Sequence, residues 1–241
     1  MDCIGFICDP DHPLLGPVAE RLAARGFAVE FHRPTDPITP SEVDALSALV
    51  AGTLHPTALA VLRYADANGV QTWNGFSTTV ALSARLVTLE ALETAGCLVP
   101  EVRFDGPAEG HDPGRRYAWE GPPALDAPAP FHVEAVGTEP VDHRYYAVDD
   151  GRETHMRAVE LRTELVDDDP VLRRTDVDVS LAASVRELLD RLGARAVAVD
   201  FTRGLNDEFY AVRATPTPTF TGAGMDRRVA DSIASLTTIG A

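Results

Sequence analysis

The apolar and polar positions divide the first hundred residues into alternating short strands and amphipathic helices. Residues 1–8 form an apolar strand, and Asp9, Pro10, Asp11, His12 and Pro13 a turn. Leu15, Val18, Ala19 and Leu22 recur at helical spacing over 14–25, and Gly26 ends that helix. Residues 27–31 read as a second strand, completing a strand–helix–strand start of Rossmann-like type. Residues 43–51, with Ser41 before them, read as a third strand. Leu59, Val61, Leu62 and Ala65 place a helix over 57–68, closed by Gly69, and 70–73 is short and extended. After Asn74 and Gly75 a long helix is predicted over 76–96, with Leu82, Leu86, Leu89 and Leu92 on one side and Gly96 just past its end.

Residues 101–130 are irregular and rich in Pro and Gly. Strand patterns return at 131–136 and up to Val148. A hairpin turn of Asp149, Asp150, Gly151 and Arg152 leads to a return strand over 154–162. Residues 166–178 read as a solvated acidic loop. Leu181, Val185, Leu188, Leu189 and Leu192 define a strongly amphipathic helix over 180–192, ended by Gly193 and expected to cover a sheet. In that sheet Val197, Val199 and Phe201 alternate with Ala198 and Asp200. Gly204, Asn206 and Asp207 turn the chain, 209–212 returns, and Pro216 and Pro218 stop the ladder because proline has no N–H to donate. A last helix spans 226–236. The fold class is α/β (α+β). A hairpin with an acid on one strand and a stiff loop after the other can floor a metal–phosphate site, although most such hairpins are only structural.

Composition narrows the function classes. Asp and Glu number 37 against 21 basic residues, a net charge of −16, and there is no lysine, so every one of those basic residues is arginine. Nucleic acid and anionic membrane both demand a basic patch, so neither is an expected partner. A dense acidic surface without lysine reads as adaptation to high salt, compatible with an ordinary acidic protein of a GC-rich genome. Cys3, Cys8 and Cys97 show no C-x-x-C spacing and read as reduced thiols of a cytoplasmic protein. No basic-then-apolar leader and no membrane-length window is present. The G-x-G-x-x-G signature after the first strand is missing, which argues against NAD or FAD there. Asp9, Asp11 and His12 at the end of that strand could touch a ligand, with plain loop polarity as the alternative. His132, His143 and His155 are not spaced as a metal site within one element.

Several stretches resemble the ATP-grasp superfamily in its RimK-like, carboxylate–amine ligase branch. They are Val199, Asp200 and Phe201, followed by Tyr210, Val212, Pro216, Pro218, Phe220 and Gly222; the Ala84, Arg85, Leu86, Val87, Thr88, Leu89 run, with Ala95, Gly96, Val99 and Pro100 after it; Gln71 to Asn74; and Glu134, Ala135 and Val136. The resemblance implies an ATP-grasp fold in three parts. These are an N-terminal Rossmann-like pre-ATP-grasp domain at 1–74, a shortened ATP-grasp N-subdomain at 75–130 and a C-subdomain at 131–241. It implies ATP and Mg²⁺ as cofactors and, by analogy, a homodimer. It puts Arg85 on nucleotide phosphate, Glu134, Ala135 and Val136 at the adenine edge, and Asp200 on the metal. Arg144 and Arg157 then face phosphate or substrate, and Arg213, a departure at a former metal position, either pairs with Asp200 or binds phosphate in place of a metal.

The departures from that pattern decide the functional expectation. Arg213 stands where the family has a metal-binding Glu, Thr215 where it has a metal-binding Asn, and Arg85 and Glu120 where it has lysines. Phosphoryl transfer works mainly by positioning and charge neutralisation, so these exchanges bear on catalysis directly. The expectation is a degenerate family member, a pseudoenzyme binding a nucleotide or small carboxylate without full ligase activity. An active ligase using Arg in place of Lys is the first alternative. A protein-interaction scaffold using the Pro-rich 106–130 segment is the second.

Overall fold

The computed structural model describes residues 2–104, 116–120, 131–136, 140–162 and 171–238, with the backbone alone at 116–120, 135 and 238. The elements fall into three sheets. Strands β1 (Cys3–Ile7), β2 (Ala28–His32), β3 (Ala48–Ala51) and β4 (Gln71–Thr72) form a parallel sheet in the order β2-β1-β3-β4. Helices α1 (Leu15–Ala23), α2 (Pro40–Asp44) and α3 (Pro56–Asn68) connect them. Parallel strands covered on both faces need continuous apolar runs, and Ile4, Phe6, Ile7 and all of Ala48 to Ala51 are buried.

Helices α4 (Phe76–Ser83) and α5 (Arg85–Thr94) lead to a small antiparallel sheet, order β5-β7-β6, of β5 (Val102–Arg103), β6 (Arg116–Glu120) and β7 (Phe131–Ala135). The third sheet is antiparallel, in the order β10-β9-β8-β11-β12. It is built from β8 (Val141–Asp149), β9 (Thr154–Arg162), β10 (Val171–Thr175), β11 (Ala196–Arg203) and β12 (Phe209–Thr215), with helices α6 (Val179–Leu192) and α7 (Asp226–Thr238). Its two faces carry separate cores. Val185, Leu188 and Leu189 of α6 cover Tyr145, Ala147, Val197, Val199 and Phe201 on one side. On the other, Tyr146, Val148, Ala196 and Ala198 share one cluster with Val229, Ile233 and Leu236 of α7 and with Ile4, Phe6, Val18 and Leu22 of the parallel sheet and α1. The last helix therefore seals the two large sheets together. Among the described residues no helix is long and apolar enough to cross a membrane.

Three expectations change. Residues 43–51 are not one strand: Thr39, Pro40 and Glu42 start helix α2, and Thr39 and Glu42 close a reciprocal capping box, with Glu42 Oε2 accepting from Thr39 N at 2.7 Å. The predicted helix over 76–96 is two helices, broken at Ala84, whose φ of −100° and ψ of 110° are extended. Thr88 makes the break tolerable, because its hydroxyl donates to Ala81 O at 3.2 Å and Ala84 O at 3.1 Å. The stretch read as an acidic loop contains strand β10, held to β9 by Arg173, whose guanidinium pairs with both Glu160 oxygens at 2.6 and 2.7 Å; its residues 166–170 lie outside the described residues. Cys3, Cys8 and Cys97 are free thiols, as read from their spacing.

The two large sheets are also joined by one amide. Asn74 is 6 % exposed. Its Nδ2 donates to Ala196 O at 2.8 Å and Pro216 O at 2.6 Å, and its Oδ1 accepts from Arg195 N at 2.8 Å and Ala196 N at 3.2 Å. Truncation strands buried backbone groups, each costing about 1–3 kcal/mol. Asn74→Ala is expected to lower stability by about 3–5 kcal/mol in urea denaturation, whereas Asn68→Ala, at an exposed site, stays within about 0.5 kcal/mol of the parent.

Candidate functional site

The register of three adjacent strands builds the site. Asp200 on β11 lies opposite Arg144 on β8 and opposite Arg213 on β12, so all three share one face of the sheet. A β-bulge makes this alignment: Phe201 pairs with Ala211 and Asp200 with Arg213, leaving Val212 as the extra residue. Ala211 and Ala214 thereby both reach the α6-side core, while Arg213 turns to the opposite face. This end of the row opens into a cleft of about 540 Å³. Ser83, Arg85 and Thr88 at the α4–α5 break form one wall, with Leu54, from the loop after β3, and Asp142, Leu161 and Thr215 also lining it.

Arg144 and Asp200 form a two-pronged pair, Nε to Oδ1 at 2.6 Å and Nη2 to Oδ2 at 2.9 Å. Their side chains are only 14 % and 9 % exposed. Burial pulls the Arg144 pKa down, but the hydrogen bonds and charge of Asp200, with a smaller contribution from Tyr146, overcome it and hold the guanidinium above its ordinary value. Arg144 is thus a fixed cation. Arg85, the first residue of α5, donates through Nη1 to the carbonyl of Val212, the bulged residue whose C=O the ladder leaves over. Arg213 is exposed and, among the described residues, forms no hydrogen bond or ion pair. Three arginines against Asp142 and Asp200 give the cleft an excess of positive charge in a chain whose total is −16.

Arg85, Arg144, Asp200 and Arg213, with Thr215 from the former metal position, therefore meet in one cleft. Arg157, Glu134, Val136 and His12 do not line it. Arg157 is exposed on β9 and donates to Met156 O at 3.0 Å. Glu134 and Val136 belong to the small sheet's β7 region, where Glu134 accepts from Glu101 N at 3.4 Å; Ala135 is on the same strand, opposite Arg116. The side chain of Glu120 lies outside the described residues. His12 serves the start of α1, its Nδ1 accepting from Leu14 N and Leu15 N, both at 3.2 Å. Burial lowers its pKa against the pull of Asp11 and Asp9. Leu54 and Ser83 were not anticipated, and Thr88 was named only as part of a helix motif. The helix break that brings the last two to the cleft wall lacks Pro or Gly, the usual signals.

As a metal site the arrangement is a poor fit. Mg²⁺ takes hard oxygen ligands in near-octahedral geometry. Here both Asp200 oxygens are on Arg144, the next position along the row is the Arg213 guanidinium, and Thr215 Oγ1 accepts from Thr217 N at 3.4 Å. A cation at Asp200 would share the carboxylate with Arg144 and stand between two arginines. An anion meets the opposite situation, with a free fork at Arg213 and fixed positive charge behind it.

No protein-family model matches the sequence, and no curated protein matches it. The structure, however, resembles solved ATP-grasp ligases over its full length. It superposes on the ATP-grasp ligase PsnB complexed with a phosphomimetic variant of minimal precursor, Mg and ADP with a TM-score of 0.70 at 16% identity, covering 98% of both chains. A Chryseobacterium gregarium RiPP-associated ATP-grasp ligase, in complex with ADP and a leader and core peptide, gives 0.68 at 13% identity over 100% of this chain and 98% of that one. N5-carboxyaminoimidazole synthetase from Staphylococcus aureus gives 0.66 at 11%, over 98% of this chain and 77% of its own. The chain has the ATP-grasp fold, as the motifs implied.

The ion pair and the free arginine should separate cleanly on mutation. Asp200→Asn leaves a nearly buried guanidinium without its counter-charge and is expected to cost about 3 kcal/mol in chemical denaturation. Arg213→Ala removes an exposed, unpaired side chain and is expected to change stability by no more than about 0.5 kcal/mol.

Proposed function

We propose that this ATP-grasp-fold protein binds a nucleotide or a small carboxylate in the arginine cleft and does not complete a ligation. The observation that carries this reading is the Arg144–Asp200 fork, which occupies both oxygens of the acid that the sequence resemblance assigns to the metal. With the acid so committed, charge on an incoming phosphate or carboxylate is neutralised by guanidinium. Arg213 makes the first contact, Arg144 supplies fixed field from behind, and Arg85, held on the Val212 carbonyl, adds its positive charge at the wall. Phosphoryl transfer needs metal and cations arranged around a developing charge. A guanidinium cannot replace the Lewis acid that bridges two phosphate oxygens, so binding outlives turnover in this reading. Glu134, Ala135 and Val136 as an adenine-reading strand, and Arg157 as a substrate contact, remain part of the proposal.

A second reading rests on the full-length likeness to the ligase PsnB complexed with minimal precursor, Mg and ADP, and with a precursor peptide and AMPPNP. On it the chain is an active ATP-dependent ligase, with a peptide carboxylate as substrate and Arg144 swinging off Asp200 when metal arrives.

Calorimetric titration with ATP, ADP and a small dicarboxylate, each with and without Mg²⁺, separates the two. The first reading expects saturable binding of at least one of these anions, unchanged by EDTA and at least tenfold weaker in Arg213→Ala. Binding that requires Mg²⁺, with ADP formed when acid and amine are added, establishes the second. Absence of binding by every ligand to the folded protein overturns both.

A further inference from the structure

At the opposite end of β8 from the arginine cleft, the β8–β9 hairpin gathers a second set of groups. Asp150, Glu153 and His155 each bring one ligand atom into a cluster whose members lie within 4.8 Å of one another. His155 Nε2 is 2.8 Å from Asp150 Oδ2 and 3.5 Å from Glu153 Oε1. We propose that these three side chains bind a divalent transition-metal ion of the zinc type, at a site separate from the arginine cleft.

The turn alone accounts for only half of Asp150. Its Oδ1 accepts from Arg152 N at 3.0 Å and Glu153 N at 3.1 Å, which closes the turn. Oδ2 plays no part in that closure and faces the imidazole. A carboxylate with one oxygen fixed by backbone amides and the other aimed at a histidine is held as ligating carboxylates are held, by an outer shell of hydrogen bonds. The frame beneath is rigid too. Asp149 Oδ1 accepts from Gly151 N at 2.7 Å and from Arg195 Nη1 at 2.9 Å. Gly151 has a φ of 84°, which other residues adopt only with strain.

The donor set selects the class of ion. One imidazole and two carboxylates suit zinc and its neighbours, with bonds of about 2.0–2.2 Å, whereas Mg²⁺ and Ca²⁺ favour all-oxygen shells. Three donors in a tetrahedral shell at that bond length stand about 3.4 Å apart, close to the 2.8 and 3.5 Å already present at Nε2. Asp150 and His155 side chains are each 13 % exposed, and Glu153, at 69 %, can swing to close the shell. Asp150 and Glu153 also border a separate open cleft of about 640 Å³, which leaves room for the ion's remaining ligands. Arg25, Arg152 and Arg228 also line that cleft; Arg25 is paired with Asp231 at 2.7 Å, and the two carboxylates offset the ion's own charge. The pattern Asp-x-x-Glu-x-His spans a turn, so spacing among the histidines does not expose it.

Zinc competition against a chromophoric chelator, on the full chain, tests the proposal. The wild type is expected to take up one zinc per chain. Glu153→Gln, at an exposed position, weakens that uptake at least tenfold, and His155→Gln abolishes it with an unchanged metal-free melting temperature. Asp200→Asn is expected to keep the site. The proposal is overturned if the wild type takes up no stoichiometric zinc, if both hairpin variants bind as the wild type does, or if Asp200→Asn removes binding.

Discussion

Everything at the arginine cleft depends on how the parallel sheet is fastened to the antiparallel one. Two constraints act together. The apolar face of α7 fills the space between the sheets, with Val229, Ile233 and Leu236 touching a core that reaches from Ile4 to Ala198. Asn74 then satisfies four backbone groups around Ala196 and Pro216 that no ladder serves. Burial is non-directional and would tolerate a range of sheet orientations; the amide hydrogen bonds are directional and select one. Trp73, next in sequence, adds an Nε1–H bond of 3.0 Å to Ser232 on α7, so the same short segment grips both the helix and the strand. With that joint set, Leu54 from one sheet and Asp200 from the other can face a common space.

Within that space, the chemistry follows from the order of charges along the strand row. Arginine, aspartate, arginine across β8, β11 and β12 is a self-neutralising sequence only at its first two members. The pair is dry, so water does not dilute its attraction, and its carboxylate is already committed to a guanidinium. The third member keeps its charge for an external ligand. A chain of net charge −16 thus gathers three arginines at one cleft, two partly or largely buried and one exposed to solution.

Much of this was legible from residue pattern. Helices α1, α3 and α6 each bury one side, and one-sided burial writes its period into the chain, while β8 and β11 are buried on both faces and show as apolar runs. The elements misread had their signals masked. At Thr39 to Glu42 a capping box competes with a following apolar run that looks like strand. In β10 the arginines hide alternation because Arg173 is held there by a cross-strand partner, Glu160, 13 residues away. The break at Ala84 depends on Thr88 and on carbonyls it finds one turn back, a relation with no sequence signature. Arg144, Asp200 and Arg213 could be singled out because strand motifs carry them. That Arg85 rests on the Val212 carbonyl could not, since it requires knowing that a bulge frees that oxygen.

The bulge at Val212 has a consequence for how the chain tolerates changes of length. Strand faces alternate with a parity of two, and a gain or loss of one residue ordinarily exchanges core for solvent along the rest of a strand. At β12 the parity is already broken, so Ala211 and Ala214 both point inward although three positions separate them. Losing Val212 would restore plain alternation, keep both alanines in the core and leave Arg213 opposite Asp200. The carbonyl under Arg85 would vanish. One residue of insertion thus adds a polar tie between the α4–α5 wall and the sheet floor to the apolar cluster that Leu82 and Leu92 share with Ala211 and Ala214, and a single-codon deletion would remove the tie and keep that cluster.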